Sequence, residues 1–279
     1  MSKFGFIGYG NMGSTLIDGF LSAGALMPGD VMVSSRTEAA LSPLLEKWPE
    51  TNVTVDNRRV AKESGTLFIC VKPLDAGPVL EEIKDVLSDD THLVSIAACV
   101  TISNLETKFG GMITKIIPSV ISQVKEGVSL FYHNSKVDKE SGGKIEKLFE
   151  SIGKVVLIEE DQFEVAADLT SCAPGMIAAI FQNFVEAGLR HSRLSQEAAQ
   201  EMVISTLFGT AKLLTEQELG FPELISRVAT KGGITEEAAK VLNKGLPGLF
   251  DEVFSQTLGK HEAVKAMVSD QMGASPGGT

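Results

Sequence analysis

The sequence predicts an α/β fold in which a mostly parallel β-sheet domain is followed by an all-helical domain. Up to residue 160, short apolar runs alternate with helical patterns, which is typical of parallel strands joined by covering helices. Beyond residue 160 the strand pattern ends, and long segments with a 3.6-residue period take over. We therefore expect a sheet domain over residues 1–160, a helical domain over 161–272 and a disordered, glycine-rich tail over 273–279.

The first domain opens with an apolar strand that ends directly before Gly8. Further apolar runs bounded by turn residues predict strands at 30–34, 53–55, 66–71, 92–97, 113–117, 127–132 and 155–158. Helical periodicity predicts helices at 11–23, 38–47, 76–87, 102–108 and 139–152, the fourth with Thr101 as its N-cap. In the second domain it predicts helices at 175–191, 196–216, 222–229, 236–244 and 247–272.

A glycine pattern lies where the first strand meets the first helix. Gly8, Gly10 and Gly13 have the G-x-G-x-x-G spacing: the first glycine permits a tight turn, the second lets phosphates approach the backbone, and the third lets helix and strand pack closely. The helix beginning with Asn11 and Met12 would present free N–H groups and its positive dipole end to a pyrophosphate. The setting predicts a Rossmann-type nucleotide-binding domain, with an ordinary glycine-rich turn as the alternative.

The end of the second strand indicates which dinucleotide binds. An acidic residue there would accept hydrogen bonds from the ribose hydroxyls of NAD, but this chain has Ser34, Ser35 and Arg36. Hydroxyls and a guanidinium suit a 2′-phosphate. We therefore expect these residues to bind NADPH, with NADH as the alternative cofactor. The competing interpretation of Arg36 is a solvated residue in the first turn of the next helix.

Composition excludes several classes of partner. The 279 residues carry a net charge of −11 and a pI near 4.9, and no basic run is interleaved with aromatic residues, which argues against binding nucleic acid or an anionic membrane. The chain opens with a strand instead of a charged and apolar leader, and no uninterrupted apolar run reaches about 18 residues. We therefore expect a cytoplasmic protein with no membrane partner.

The cysteines and histidines show no metal-site spacing. Cys70, Cys99 and Cys172 are far apart and form no C-x-x-C pair, and their mostly apolar neighbours predict buried thiols in a reducing compartment. The histidines without recurring spacing are His92, His133, His191 and His261. The sequence predicts no metal site and no catalytic histidine.

Two helices of the second domain are apolar on more than one face. They contain residues 176–181 (MIAAIF) and 202–208 (MVISTLF). Such helices need burial, either inside a two-layer helical domain or against a second copy of the chain. We favour a homodimer, or a higher homo-oligomer, and therefore expect a dimerisation domain.

Five segments together carry a resemblance to the pyrroline-5-carboxylate reductase family. They are, in family order, residues 6–13 (FIGYGNMG), 71–73 (VKP), 95–98 (SIAA), 117–118 (IP) and 232–235 (GGIT). The resemblance covers most of the chain and implies NADPH-dependent reduction of the cyclic imine 1-pyrroline-5-carboxylate to L-proline by hydride transfer. It also implies a nucleotide-binding domain followed by a helical domain that dimerises by intertwining.

The same resemblance assigns residues to the nicotinamide side of the cofactor. Val71, Lys72 and Pro73 look like the loop that borders the nicotinamide ribose, and Ala97 and Ala98 look like a small-residue wall beside it. Loops at the carboxyl ends of parallel strands face the crevice of such a sheet. The competing interpretations are a surface lysine paired to a nearby acid and simple packing at a strand end.

The segment Thr230, Lys231, Gly232, Gly233 and Thr235 resembles the family's substrate-binding segment. There, backbone N–H groups bind the substrate carboxylate and a threonine hydroxyl lies beside the imine nitrogen, so we assign the catalytic role to the last of these residues. A helix beginning at that threonine would add its dipole to the anion site. The structural alternative is a glycine C-cap followed by a threonine N-cap.

Three motifs depart from the family pattern. They read TSCAP at 170–174, PSVI at 118–121 and TKGGIT at 230–235, where the family has SGSGP, PNTP and SPGGTT. This combination resembles the reductase-like proteins encoded with competence genes in some Gram-positive bacteria. Two alternatives therefore remain open: a reductase of another small imino or keto acid, and a non-catalytic NADP-binding regulatory protein of the same fold.

Overall fold

An eight-stranded sheet forms the centre of the chain in the computed structural model, which describes residues 4–273. The strands are β1 (Phe4–Ile7), β2 (Val31–Ser34), β3 (Asn52–Thr54), β4 (Thr66–Ile69), β5 (His92–Ser95), β6 (Met112–Ile117), β7 (Gly127–His133) and β8 (Gly153–Leu157). Their order is β3-β2-β1-β4-β5-β6-β7-β8, and only the β6–β7 pair is antiparallel. The predicted mostly parallel sheet is confirmed.

Helices join the strands of this sheet. They are α1 (Asn11–Ser22), α2 (Ser42–Lys47), α3 (Asn57–Glu63), α4 (Pro73–Ile83), α5 (Ile102–Glu106) and α6 (Lys139–Glu150), with 3₁₀ turns at Pro28–Asp30, Glu38–Leu41, Val120–Val124 and Glu160–Gln162. Thr101 caps α5 as predicted, because its side chain accepts the N–H of Asn104. The sequence interpretation missed α3, which buries only Val60 and Ala61 and so shows little periodicity.

Apolar side chains from alternate strand positions build a core on each face of the sheet. On one face Phe6 stacks on Phe68 with ring centroids 4.5 Å apart, and Phe149 of α6 meets Phe20 of α1 at 5.1 Å. On the other face Ile7 packs in a cluster with residues of α4. These contacts hold α1 against β1 and its neighbouring strands, and so they fix the glycine turn that joins β1 to α1.

The remaining helices follow residue 160, and no strand follows it within residues 160–273. They are α7 (Phe163–Thr170), α8 (Ala173–Leu189), α9 (Gln196–Glu216), α10 (Phe221–Val228) and α11 (Ile234–Met272). The predicted break before residue 247 is wrong, since α11 continues through Pro247. A proline inside a helix removes one backbone hydrogen bond and usually ends or kinks the helix, yet here the helix continues past it.

The chain divides into two compact units. The first comprises Met1–Ala173 and Thr257–Thr279, and the second comprises Pro174–Gln256. The proposed boundary at residue 160 stays a prediction, and the predicted tail lies, except for Gly273, outside the described residues. Helices α8, α9 and α10 bury no residue within the single chain. One stretch, Glu160–Leu189, is long and apolar enough to cross a membrane by length and composition alone.

Stability should depend on pH through His92 of β5, which is 4% exposed. Burial, followed by the nearby His133, lowers the pKa of His92 to about 4. In the unfolded chain the imidazole of His92 has a pKa near 6.5. Between pH 6.5 and 4 the unfolded state therefore binds more protons than the folded state, so the folded state loses stability as the pH falls through that window. We expect the free energy of unfolding to drop by about 2 kcal/mol between pH 7 and 5 from this group.

Urea unfolding at pH 7 and pH 5 measures this contribution, with His92→Gln as the variant that lacks the titrating ring. The variant should lose less stability than the wild type on acidification. An equal loss in both proteins would show that His92 is not the group responsible.

Candidate active site

The three motif glycines lie in three different environments. Gly8 has φ of +106°, its N–H donates to the Ser34 carbonyl at 2.9 Å, and a Cβ there would lie 2.5 Å from the Cys70 carbonyl oxygen. A Cβ on Gly13 would lie 2.4 Å from the Gly8 carbonyl oxygen, whereas a Cβ on Gly10 would meet no atom within 4 Å. Gly8 and Gly13 therefore serve backbone packing, and Gly10 faces open space.

The first turn of α1 is open to an anion. Gly10 occupies the N-cap position, no side chain caps the helix, and no acidic residue lies in its first turn. Asn11 is exposed and Met12 is half-buried. The N–H groups of a helix start without a side-chain cap, together with the dipole, favour a phosphate group.

The three residues predicted to select the cofactor differ in exposure. Ser34 is fully buried, and its hydroxyl donates to Asn57 Oδ1 at 2.7 Å. Ser35 is half-buried and Arg36 is exposed, and among the described residues no carboxylate lies within ion-pair distance of Arg36. The guanidinium and the Ser35 hydroxyl thus remain accessible to a ligand, whereas the Ser34 hydroxyl has a protein partner. Asn57 was not found from the sequence because α3 was missed.

The loops after β4 and β5 lie at the same sheet edge as the glycine turn. Strands β1, β4 and β5 are parallel neighbours, so their carboxyl ends are adjacent. Val71 would lie 3.1 Å from a Cβ on Gly8. Lys72 is exposed at the N-cap of α4, which begins with Pro73, and within residues 4–273 it has no acidic partner. The surface ion pair considered for Lys72 is therefore not observed in that part of the chain.

The loop after β5 contains the two predicted wall residues. Ala97 is buried and accepts the N–H of Val100 at 3.3 Å, while Ala98 is half-buried. The next residue, Cys99, has φ of +64°, a left-handed conformation that a side chain other than glycine rarely adopts. The structure thus brings Ala97 and Ala98 to the edge where the glycine turn lies.

The cysteine prediction needs one correction. Cys70 and Cys99 are buried as expected, but Cys172 is exposed. It lies between α7 and α8, at the end of the first segment of the first unit, where its neighbours in sequence do not cover it. Among the described residues, no group of three His, Cys, Asp or Glu side chains is arranged to hold a metal ion.

Two of the altered family motifs meet in the structure. Ser119, which follows β6, is completely buried, and its hydroxyl donates to the carbonyl of Thr170 at 3.5 Å. The Thr170 hydroxyl in turn donates to the carbonyl of Ala166 at 2.7 Å. The two departures are therefore neighbours, although 51 residues separate them in sequence.

The proposed carboxylate-binding segment belongs to the second unit. Gly232 has φ of +75°, and its N–H donates to Glu236 Oε2 at 2.6 Å. Gly233 donates to the Thr230 carbonyl at 2.8 Å, and a Cβ on it would lie 2.8 Å from the Thr230 hydroxyl. The Gly232 N–H therefore already binds a carboxylate oxygen, that of Glu236, a residue the sequence interpretation missed.

Thr235 and Lys231 are exposed in this unit. The helix begins at Ile234, two residues before the predicted start at residue 236, so Thr235 lies in its first turn and is not an N-cap. Both side chains are accessible to a ligand in the unit taken by itself.

Comparison with known proteins finds a family match in each of the two predicted domains. Residues 3–99 match the family described as NADP oxidoreductase coenzyme F420-dependent, and residues 160–264 match pyrroline-5-carboxylate reductase dimerisation. Pyrroline-5-carboxylate reductase 3 of Bacillus subtilis is 36% identical, covering 97% of this chain and all of its own length. ComE operon protein 4 of the same organism is 33% identical over 96% of this chain and 98% of its own.

A solved structure supports the fold along the whole chain. The pyrroline-5-carboxylate reductase of Coxiella burnetii is 29% identical, covers 99% of both chains and superposes with a TM-score of 0.82. The sheet domain, its glycine turn and the helical domain define an NADP-dependent oxidoreductase with a dimerisation domain. The chain belongs to the pyrroline-5-carboxylate reductase family, which confirms the resemblance carried by its five motifs.

Proposed function

We propose that this protein reduces 1-pyrroline-5-carboxylate to L-proline with NADPH, as a cytoplasmic homodimer. The observation that carries the proposal is the open space in front of Gly10 at the uncapped start of α1, beside an unpaired Arg36 within the described chain. That arrangement suits a dinucleotide with a 2′-phosphate. The relative named pyrroline-5-carboxylate reductase 3 supports the choice of substrate.

Each proposed site residue has a separate task. Gly10, with the N–H groups of Asn11 and Met12, holds the pyrophosphate, while Ser35 and Arg36 bind the 2′-phosphate. Bound NADPH supplies the hydride, so the protein needs to orient the reactants and stabilise charge.

On the substrate side, the N–H of Gly232 donates to a carboxylate oxygen of the substrate, as it donates to Glu236 in the structure. Lys231 adds a positive charge beside that position. The Thr235 hydroxyl donates a hydrogen bond to the imine nitrogen and relays the proton that the product amine requires.

The second unit is the proposed homodimer interface. Helices α8 to α10 bury no residue in the single chain, although Phe184 and Phe208 are among their exposed side chains. Contiguous apolar surface of this kind marks an interface. The match to the dimerisation family over residues 160–264 points to a second copy of the chain as the partner, and it accounts for the apolar stretch Glu160–Leu189 without a membrane.

Two alternatives have a specific observation in their favour. The altered motifs at Ser119 and Thr170 are in direct contact. Two neighbouring substitutions can together change the shape of a substrate site, which favours a different substrate. The 33% identity to ComE operon protein 4 is nearly as high as that to the named reductase. Both observations are consistent with reduction of a different small imino or keto acid, and with a protein that binds NADP without turnover.

The deciding experiment mixes purified protein with 1-pyrroline-5-carboxylate and follows NADPH absorbance, with NADH in parallel. We expect NADPH to be consumed and L-proline to form in equal amount. Tight NADPH binding without consumption would contradict the proposed reaction and favour the regulatory alternative. If NADPH is consumed only with another cyclic imine, that imine is the substrate and the protein is a reductase of a different compound.

Arg36→Ala should weaken NADPH binding by about 10–100-fold and leave NADH binding within about twofold, because only NADPH has the phosphate that a charge-assisted hydrogen bond would hold. Fluorescence titration with both nucleotides measures the two affinities. Arg193→Ala, at an exposed arginine of the second unit, is the matched control and should change neither. Equal losses for NADPH and NADH would remove Arg36 from phosphate recognition.

A further inference from the structure

A cysteine, a histidine and an aspartate form a connected chain in the first unit. Cys99 Sγ lies 3.4 Å from Nδ1 of His261, whose Nε2 lies 3.3 Å from an oxygen of Asp168. The three residues come from the loop after β5, from α11 and from α7, and all belong to the same unit. We propose that Cys99 is a modification site, a thiol that reacts with hydroperoxides and uses His261 as its base.

The aspartate orients the histidine. Asp168 is 2% exposed, and its second oxygen accepts the Thr257 hydroxyl at 2.5 Å. A buried carboxylate is costly unless a cation or strong donors compensate it. Its contact with Nε2 of His261 holds the other ring nitrogen, Nδ1, towards Cys99, the orientation in which a histidine activates a nucleophile.

Several charged groups act on the Cys99 thiol. The pKa of Cys99 is raised overall, chiefly by burial; the cation of Lys115 lowers it, the carboxylate of Glu164 raises it and the cation of Lys265 lowers it. Transfer of the thiol proton to His261 places a thiolate beside an imidazolium, which itself contacts the buried Asp168. The resulting alternation of negative and positive groups compensates the thiolate without exposing it to water.

Access restricts the class of reagent. Cys99 and Cys70 are nearly equally buried, at 8% and 9% exposed, so a large reagent is excluded from both and the neighbouring histidine of Cys99 is what distinguishes them. Hydrogen peroxide and small alkyl hydroperoxides combine small size with a weak O–O bond that a thiolate attacks. Cys70 is the contrasting case, because it is buried without a base and its pKa is raised by burial alone.

The step balances with one hydroperoxide per thiol. The Cys99 thiol gives its proton to His261, and the thiolate sulfur attacks the terminal oxygen of the hydroperoxide as the O–O bond breaks. The sulfur is oxidised to a sulfenic acid, and the hydroperoxide is reduced to an alcohol, or to water from hydrogen peroxide. The leaving oxygen takes the proton held by His261, which restores the base.

This site adjoins the proposed cofactor site. Cys99 follows Ala97 and Ala98, the proposed wall beside the nicotinamide. Its left-handed backbone (φ +64°) is a conformation that the surrounding contacts must maintain at a cost. The reactivity of the thiol does not depend on which imine the enzyme reduces, so the two proposals stand or fall separately.

The test uses the full chain carrying Cys172→Ser, which removes the exposed thiol and leaves Cys70 and Cys99. The protein is treated with hydrogen peroxide at pH 6.5 for timed intervals, the peroxide is removed with catalase, the chain is unfolded in urea containing dimedone, and mass spectrometry follows the adduct on the Cys99 peptide. The same chain in urea is the reference. We expect the folded chain to react at least tenfold faster than the unfolded one, whereas burial without activation would make it slower. A folded rate equal to or below the unfolded rate overturns the proposal.

The base is tested with His261→Gln in the same background, because glutamine retains hydrogen-bonding capacity but cannot accept the proton. The rate at Cys99 should fall at least tenfold. His191→Gln, at an exposed histidine of the second unit, is the matched control and should react like the parent. An unchanged rate in folded His261→Gln overturns the assignment of the base. If that variant does not fold, the comparison of folded and unfolded parent chains still decides the reactivity of Cys99.

Discussion

Gly10→Ala is expected to lower NADPH affinity by about 30–100-fold while leaving the fold intact. No atom lies within 4 Å of the position its Cβ would take, and the backbone there has φ of −88°, which alanine adopts readily. The added methyl group occupies the space through which the pyrophosphate reaches the start of α1. Loss of one or two charge-assisted hydrogen bonds of about 1.5–3 kcal/mol accounts for the magnitude. Fluorescence titration with NADPH, together with thermal unfolding of the free protein, measures both quantities.

Gly8→Ala is the matched comparison and should behave in the opposite way. Its Cβ would lie 2.5 Å from a backbone oxygen and 2.8 Å from a backbone carbon of Cys70, at φ of +106°. Strain at such positions costs about 1–3 kcal/mol before the clash is counted, so this variant should lower the unfolding temperature. Equal destabilisation in both variants would mean that Gly10 is structural. Unchanged NADPH affinity in Gly10→Ala would place the pyrophosphate elsewhere.

Local patterns were sufficient to predict the sheet but not every helix. Apolar runs bounded by turns identified all eight strands, with ends shifted by at most two residues. Helix α3 was missed because only two of its residues face the core. The continuation of α11 through Pro247 was missed for a different reason. A proline ends most helices, and whether a helix continues past one depends on the space around its ring, which is a property of the folded chain.

The same distinction applies to the candidate site. The glycine turn is a local motif, and the sequence predicted the tight turn at Gly8 and the close packing at Gly13, while the approach of phosphates at Gly10 stays a prediction. The partner of Ser34 is Asn57, 23 residues away, and the partner of Cys99 is His261, 162 residues away. No periodicity or spacing connects such pairs, since their meeting depends on the order of strands in the sheet and on the path of α11. The sequence analysis gave the histidines no catalytic role because they show no recurring spacing. Spacing along the chain carries no information about contacts between residues that are far apart in sequence.

The altered family motifs gain meaning from their contacts. Ser119 is buried against the backbone of Thr170, and the segment that follows Thr170 carries Cys172. The pKa of the Cys172 thiol is raised by desolvation and then by the charge and hydrogen bond of Asp168. The replaced residues therefore border the Cys99–His261–Asp168 chain. Two of the three altered motifs therefore meet beside this chain of residues in the first unit, whereas the third, at 230–235, belongs to the second unit.

Thr235→Val should reduce kcat by about 100-fold with 1-pyrroline-5-carboxylate and leave NADPH affinity unchanged. Valine has nearly the shape of threonine but cannot donate or relay a proton, and general acid catalysis contributes about 10²–10⁴-fold. The side chain is exposed in its unit, in the first turn of α11, so the substitution removes no buried contact seen in the chain. Steady-state kinetics and nucleotide titration separate the two effects.

Thr215→Val is the control, because Thr215 is also exposed and helical and its hydroxyl only donates to the Ala211 carbonyl. It should retain full turnover. A lost proton relay also changes the pH dependence: if Thr235 passes a proton to the product nitrogen, the variant should recover part of its rate at lower pH, where solvent supplies the proton more readily. A higher KM with unchanged kcat would instead assign Thr235 to substrate binding alone. Unchanged kinetics would remove it from the mechanism and leave the N–H of Gly232 and the charge of Lys231 as the proposed contributions of this segment to substrate binding.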